Sequence, residues 1–449
     1  MQETLKYIAE LSKYFVTAGM VLFTLLDFYA FRYPRESQRR IVCGIQSILI
    51  FLIQFFCFYQ LILFSKDMQY LFFYLFVQVL LITALKLAPL IYERMNRLLL
   101  NNMCLLLSLG LCMISRLSFR KAVRQYIIVI GSLVLSMLIP YLLTKIRFLK
   151  KLTWVYALLG ITMLSGVLIF GEITRGSKIS FSLWGITFQP SELVKILFLF
   201  FLAASLWENT SFMQVFITAV VAGLHVIILV ISTDLGSALI FFVGFVFVVF
   251  IATRNYLYML AGAVGGSGAA YIAYLIFDHV RIRVLAWQDP WSYIDNQGYQ
   301  ITQSLFAIGS GNWFGMGLFK GNPKAIPFVD ADFIFSSFCE ELGVITGICV
   351  ILICLSSFIM MMEIAVQIHD KFYQIIVYGI AIMYVFQIFL TIGGGIKFIP
   401  LTGVTLPFIS YGGTSVLTTM MMFFIVQGIY IRLQREGGRR VVRRKESPE

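Results

Sequence analysis

Charge is scarce in this 449-residue chain: Asp, Glu, Lys and Arg make up 13% of it, and the AVILMFWYC set makes up 60%. A soluble domain is about a quarter charged and about half apolar. The composition therefore excludes a water-soluble domain with a single core and points to a polytopic membrane protein. Paired cysteines are missing too. Cys43, Cys57, Cys104, Cys112, Cys339, Cys349 and Cys354 lie in or beside apolar runs, with no CxxC pair and no even-numbered loop framework. That excludes a disulfide scaffold and leaves them as small buried hydrophobes. The N-terminus has no short apolar stretch with a small-residue cleavage site. The first apolar run, 11–31, is long enough to span and is expected to stay attached. A nucleic-acid-binding module is also missing, and the basic residues are dispersed between apolar segments. The net charge of +13 belongs with loops and a tail that face anionic membrane lipid.

What is present is a series of apolar runs, each long enough to cross about 30 Å of hydrocarbon. They fall at 11–31, 41–64, 70–92, 98–114, 124–144, 153–171, 190–207, 212–232, 235–252, 256–277, 333–362, 374–395 and 408–431. The fold class expected is an all-α polytopic membrane protein of about 13 spans. The basic segments "FRYPRESQRR" (31–40), "YERMNR" (92–97), "KIRFLKK" (145–151) and "RLQREGGRRVVRRK" (432–445) fall on one side. That side is the cytoplasm by the positive-inside rule, which puts the N-terminus outside. "SRLSFRKAVR" (115–124) is basic yet falls outside on this count, so either it meets something anionic there or the number of spans differs by one. Most connections are short, but 171–192 and 278–332 are long. The second is too aromatic for disorder, with Trp287, Trp291, Tyr293, Tyr299, Phe306, Trp313, Phe314 and Phe319, and is expected to fold as an external cap.

"FVDADFIFSSFCEELGVI" (328–345) ends that cap and holds four carboxylates, Asp330, Asp332, Glu340 and Glu341. If one helix runs through it, Glu340 lies about 80° round from Asp332 and about 10 to 12 Å deeper, with Glu341 on the opposite side. Buried carboxylates line a cavity or pair with a cation. Each also has a plain structural reading: Asp330 and Asp332 as helix N-caps, Glu340 and Glu341 as groups that tie helices together.

Five stretches in order carry a resemblance: "FQPSELVKILFLFFLA" (188–203), "DLGSAL" (234–239), "DPWSYIDNQGYQITQSLFAIGSGNWFGMGL" (289–318), "DFIFSSFCEELG" (332–343) and "IPLTGVTLPFISYGGTSVL" (399–417). Together they resemble the SEDS family (shape, elongation, division and sporulation), whose members RodA, FtsW and SpoVE act in peptidoglycan synthesis. The resemblance covers about residues 98–431. It divides the chain into an N-terminal transmembrane extension (1–97), the core (98–431, with 278–332 as its external loop) and a basic cytoplasmic tail (432–449).

The resemblance implies an inverting glycosyltransferase of the bacterial cytoplasmic membrane that polymerises glycan strands from lipid II at the outer face, during elongation, division or sporulation. The family's essential aspartate falls on Asp332. A carboxylate there can take the proton of the attacking sugar hydroxyl. The lipid pyrophosphate already leaves readily, so cationic groups or a divalent metal ion suffice to steady it; no other cofactor is implied. Candidate cations are Arg116, Arg175, Lys178, Arg281, Arg283 and Lys397, each of which also reads as a solvated loop charge. Asp330, Glu340, Glu341, Glu192, Lys195 and Asp234 are supporting residues, with Glu192 and Lys195 placed to pair at i,i+3. A class B penicillin-binding protein is the transpeptidase partner the resemblance implies, alongside membrane lipid. Departures from the family pattern are "GSKISF" (176–181) without its tryptophan, "STDLG" (232–236) and Thr391. His225 reads as a packed core residue, His369 as an inner-loop residue and His279 as a substrate contact at the cap's edge. A second class stays open: a transporter that flips lipid II, which should place its charged site near the midplane between broken helices.

Overall fold

A computed structural model describes residues 2–33, 36–146, 148–174, 177–183 and 186–446. Among them are sixteen α-helices: α1 (Gln2–Ala30), α2 (Glu36–Ser65), α3 (Gln69–Ile91), α4 (Arg97–Leu117), α5 (Phe119–Lys145), α6 (Thr153–Phe170), α7 (Pro190–Leu206), α8 (Phe212–Ile231), α9 (Leu235–Thr253), α10 (Tyr256–Ile276), α11 (Asp278–Gln288), α12 (Tyr299–Gly311), α13 (Ile334–Leu342), α14 (Val344–Gln367), α15 (Lys371–Gly395) and α16 (Gly413–Glu446). Twelve of the described helices are long and apolar enough to cross a membrane.

The expected thirteenth span, 190–207, is α7. At 17 residues it is about 25 Å long, near the lower limit for a crossing; it lies along α6, with Trp207 just past its end over Lys150, and it holds Glu192 and Lys195 in its first two turns. A correction concerns 333–362, which is two helices. Gly343 breaks the run at φ +91, a conformation that L side chains avoid, and a Cβ there would overlap the Trp313 carbonyl. The apolar sequence continues through the break, so hydropathy reads one span where the backbone turns.

Burial follows each helix's apolar pattern. α4 is apolar on nearly every side and all of 98–117 is buried, with α2, α3, α5 and α14 around it. A helix hydrophobic all round belongs in the middle of a bundle. At the other extreme α10 buries none of its residues and leans on α9 and α11 alone, so its apolar side chains are left for lipid. Asn96 caps α4 by accepting from the Leu99 N–H at 3.1 Å. The Gln427 side chain then bridges the Asn96 N–H and C=O at 2.9 and 2.8 Å, which locks α16 to the start of α4.

Contacts between helix ends define two ends of the bundle. At the tail end, Lys150 pairs with Asp370 at 2.8 Å and Arg94 donates to the Gln434 carbonyl at 2.9 Å. The opposite, cap end collects α11, α12, the segment 312–333, the α15–α16 connection 396–412, and a three-stranded antiparallel sheet of β1 (Glu172–Thr174), β2 (Ser177–Leu183) and β3 (Ile186–Phe188). The segment 171–192, read from sequence only as a loop, supplies that sheet. The cap folds largely as helix.

Candidate functional site

Asp332 lies in the turn just before α13 and is 8% exposed. The N-cap position of α13 falls on Phe333, so neither aspartate occupies it. The turn is fixed from two sides. The Ser410 hydroxyl donates to the Ala331 carbonyl at 2.6 Å and the Tyr411 N–H to the Asp330 carbonyl at 2.7 Å. Gln125 of α5 donates to the Ser410 carbonyl at 3.2 Å. The Asp330 carboxylate accepts from Lys121 at 2.5 Å. Asp332 thus rests on the α15–α16 connection, with Oδ2 4.0 Å from where a Cβ at Gly403 would lie.

Arg283 of α11 is the cation on this surface. It donates to the Thr402 carbonyl at 3.4 Å and sits within electrostatic reach of both Asp332 and Asp234. Partial burial lowers its guanidinium from the usual value, and the two carboxylates oppose that shift. The charged form is kept, since arginine stays protonated in proteins. Asp234 is itself well held as the N-cap of α9. It accepts from the Ser237 N–H at 3.1 Å, from Ser191 Oγ at 3.1 Å and from Gln189 Nε2 at 3.2 Å. Gln189 and Ser191 stand at the start of α7, next to Thr414 of α16, which accepts from the Gln189 N–H at 3.1 Å. The ends of α7, α9, α13 and α16 therefore converge with the middle of α11 on one patch holding two carboxylates with an arginine in reach of both.

Behind that patch Glu192 and Lys195 pair at 2.8 Å, both buried. Lys195 also donates to Gln387 Oε1 at 2.8 Å, and Gln387 Nε2 to the Thr405 carbonyl at 2.9 Å. The pair therefore ties α7 to α15 and to the 396–412 connection. A buried charge needs such a partner.

The other expected site residues are distributed. Lys397, at φ +61, accepts the Trp287 indole N–H on its carbonyl at 3.2 Å, and its charge acts on Asp289. Arg281 is exposed and pairs with Asp278 at 3.5 Å. Lys178 is in β2, and Arg175 lies outside the described residues. Arg116 is buried, bound to Glu341 through Nε at 2.9 Å and Nη2 at 2.8 Å, and stacked 4.2 Å from the Phe319 ring centroid.

That pairing corrects the expectation of one helix running through Asp332, with Glu340 deeper on a neighbouring face and Glu341 on the opposite one. α13 begins only at Ile334, so helical spacing does not extend back to Asp332, and both glutamates face the cap. Glu340 accepts from the Asn322 N–H at 2.8 Å and Glu341 from the Phe319 N–H at 3.1 Å. Burial raises the Glu341 carboxyl to about 7 while Arg116 pulls it back. Of the histidines, His225 is fully buried between Phe198 and Phe201. His279, at the cap's edge, is lowered by partial burial and by Arg283.

Sequence reading missed Gln189, Ser191, Thr402 and Lys121. The first two lie inside "QPSE", where they read as a helix start, and Lys121 lies in the basic segment 115–124 without any sign of its partner, 209 residues away.

Comparisons with known proteins agree with this architecture. The family model described as "Cell cycle protein", that of FtsW, RodA and SpoVE, matches residues 96–435. The chain is 32% identical over 364 residues to a peptidoglycan glycosyltransferase RodA of Mycobacterium leprae, covering 74% of this chain and 77% of that one. It is 30% identical over 334 residues to a probable peptidoglycan glycosyltransferase FtsW of Alteromonas naphthalenivorans, covering 71% of this chain and 64% of that one. In fold it is similar to a chain of a peptidoglycan synthase complex solved for its coordination of polymerization and crosslinking, with a TM-score of 0.64 at 24% identity, over 75% of this chain and 97% of that one. The matched region holds the converging helix ends and nine of the twelve spans, and on these grounds the chain belongs to the FtsW/RodA/SpoVE family, the SEDS family that its ordered motifs resemble.

Proposed function

We propose that this protein is a peptidoglycan glycosyltransferase of the bacterial cytoplasmic membrane, polymerising lipid II at the outer face with Asp332 as general base. The observation that carries the reading is that Asp332 and Arg283 meet the adjacent residues Gly403 and Thr402, on a patch where four helix ends join α11. The chemistry needs little more. An acceptor sugar hydroxyl attacks the anomeric carbon of the donor, the C–O bond to pyrophosphate breaks, and configuration inverts in one displacement. Asp332 receives the hydroxyl proton. Arg283 of α11, with Lys397 on the 396–412 connection that α11 packs against, meets the charge that collects on the departing pyrophosphate. Asp234 would hold Arg283 in register, as Lys121 and Asp330 hold the turn that bears Asp332.

On this reading 98–431 is the catalytic core, and 1–97 and 432–449 are additions to it. A class B penicillin-binding protein is the partner that would crosslink the new strands; the likeness to a chain from a complex that coordinates polymerization and crosslinking supports it. The test is polymerisation of labelled lipid II by the purified full-length chain together with its transpeptidase. Long glycan strands are the expected product. Movement of lipid II between leaflets without strand formation would instead support the transporter reading.

A further inference from the structure

Residues 312–322 form a strained loop between α12 and α13. Asn312, Gly315, Gly317 and Phe319 all have positive φ, at +49, +78, +99 and +68. Two of the four are not glycine, so surrounding contacts must hold the conformation. One set of those contacts goes to α13. The Met316 and Gly317 N–H groups donate to the Glu340 and Glu341 carbonyls, both at 2.9 Å, and the Phe319 and Asn322 N–H groups take the two carboxylates.

A second set comes from the N-terminal helices, beside Arg116 of α4, which donates to the Gly321 carbonyl at 3.3 Å, and the first N–H groups of α14 on the Asn312 and Trp313 carbonyls. The buried Leu318 N–H donates to Gln60 Oε1 of α2 at 3.1 Å, and a buried N–H without a partner is costly. Lys13 of α1 donates to the Gly315 carbonyl at 3.1 Å. Glu10 pairs with Lys320 at 2.6 Å. Tyr14 packs on Phe314 with centroids 5.3 Å apart, and Tyr70 of α3 on Phe319 at 6.3 Å. Thr17 meets Thr346, at the start of α14, at 3.4 Å. Along the loop, partners alternate between α13 on one side and α1–α3 on the other.

We propose that α1–α3 act as a clamp on loop 312–322, with Gln60 and Lys13 as positioning residues that fix α13 and, through its first turn, Asp332. This rests on Asp332 being the reactive carboxylate. A catalytic group must be held closely: misplacement by about 1 Å can reduce turnover by about 10²-fold. Loosening the clamp should therefore lower kcat while leaving the lipid II surface, on the far side of α13, as it was.

The test compares Gln60→Leu with Gln60→Glu, which keeps an acceptor oxygen for Leu318, and with Lys13→Met, in the full-length protein with its transpeptidase. The Leu variant should lose on the order of 10-fold in kcat with KM for lipid II unchanged, and the Glu variant should stay within about twofold of the parent. Backbone hydrogen exchange should quicken at 313–322 and 334–342 in the Leu and Met variants. Parent-like kcat and exchange in a folded Gln60→Leu protein would overturn the clamp, as would a rise in KM alone. Should Gln60→Leu fail to fold, Lys13→Met decides by the same criteria. A parent protein that makes no strands would remove the catalytic reading, and exchange at 334–342 would still decide the clamp.

Discussion

Arg283 and Lys397 differ in what their surroundings let them do. Arg283 is partly buried between α11 and the 396–412 connection, in reach of Asp332 and Asp234, so little water screens its charge. Lys397 sits in a left-handed turn and faces Asp289. Losing a charge-assisted contact costs about 1.5 to 3 kcal/mol. Arg283→Ala should thus weaken lipid II binding by roughly 10- to 100-fold, and Lys397→Ala less. Equilibrium binding of labelled lipid II in detergent checks this, and unchanged binding in both variants and in the double variant would return them to ordinary loop charges. Arg116 is different in kind. Its Nε and Nη2 go to Glu341 and Gly321 and its plane lies on the Phe319 ring. Sequence offered Arg116 as an external cation because its partner Glu341 is 225 residues away; only folding shows that the pair is internal.

At the scale of elements, apolar runs were legible because a bilayer demands about twenty apolar residues per helix and admits few alternatives. Breaks and convergences were less so. In "CEELGVITG" the two glutamates are outweighed by the apolar residues on either side, and one glycine at φ +91 decides that α13 and α14 are separate. Gln189, Ser191 and Asp234 meet across about 45 residues, and a reading of each motif alone treats them as two helix starts. Asp332 itself was legible through the motif it shares with its family. Gly343→Ala tests the break directly. The left-handed conformation and the Trp313 carbonyl both oppose a Cβ. A stability loss of about 1 to 3 kcal/mol is expected, with larger loss of polymerisation, because α13 would tilt with its neighbour. Thermal unfolding in detergent beside strand synthesis measures both; an alanine variant with parent stability and rate would show the break to be incidental.

For the whole molecule, the account requires one orientation. The proposed outer-face reaction needs the cap end, with its sheet, α11, α12 and 396–412, outward and the end with Lys150, Asp370 and Arg432 toward the cytoplasm, in line with the basic segments there. Cysteines introduced at Asn296 and His369, both exposed, in a background without reactive native thiols, report this in intact cells. Labelling at 296 and protection at 369 are expected; the reverse pattern would invert the topology and remove the outer-face reaction.

Within that frame Asp332→Asn is the sharpest probe. The amide keeps the size and most of the hydrogen-bonding capacity of the carboxylate but cannot accept the proton. With the variant folded and bound to its transpeptidase, polymerisation of labelled lipid II should fall by a factor on the order of 10² to 10⁴. Strand synthesis by that variant at near the parent rate would show that Asp332 takes no part in the chemistry.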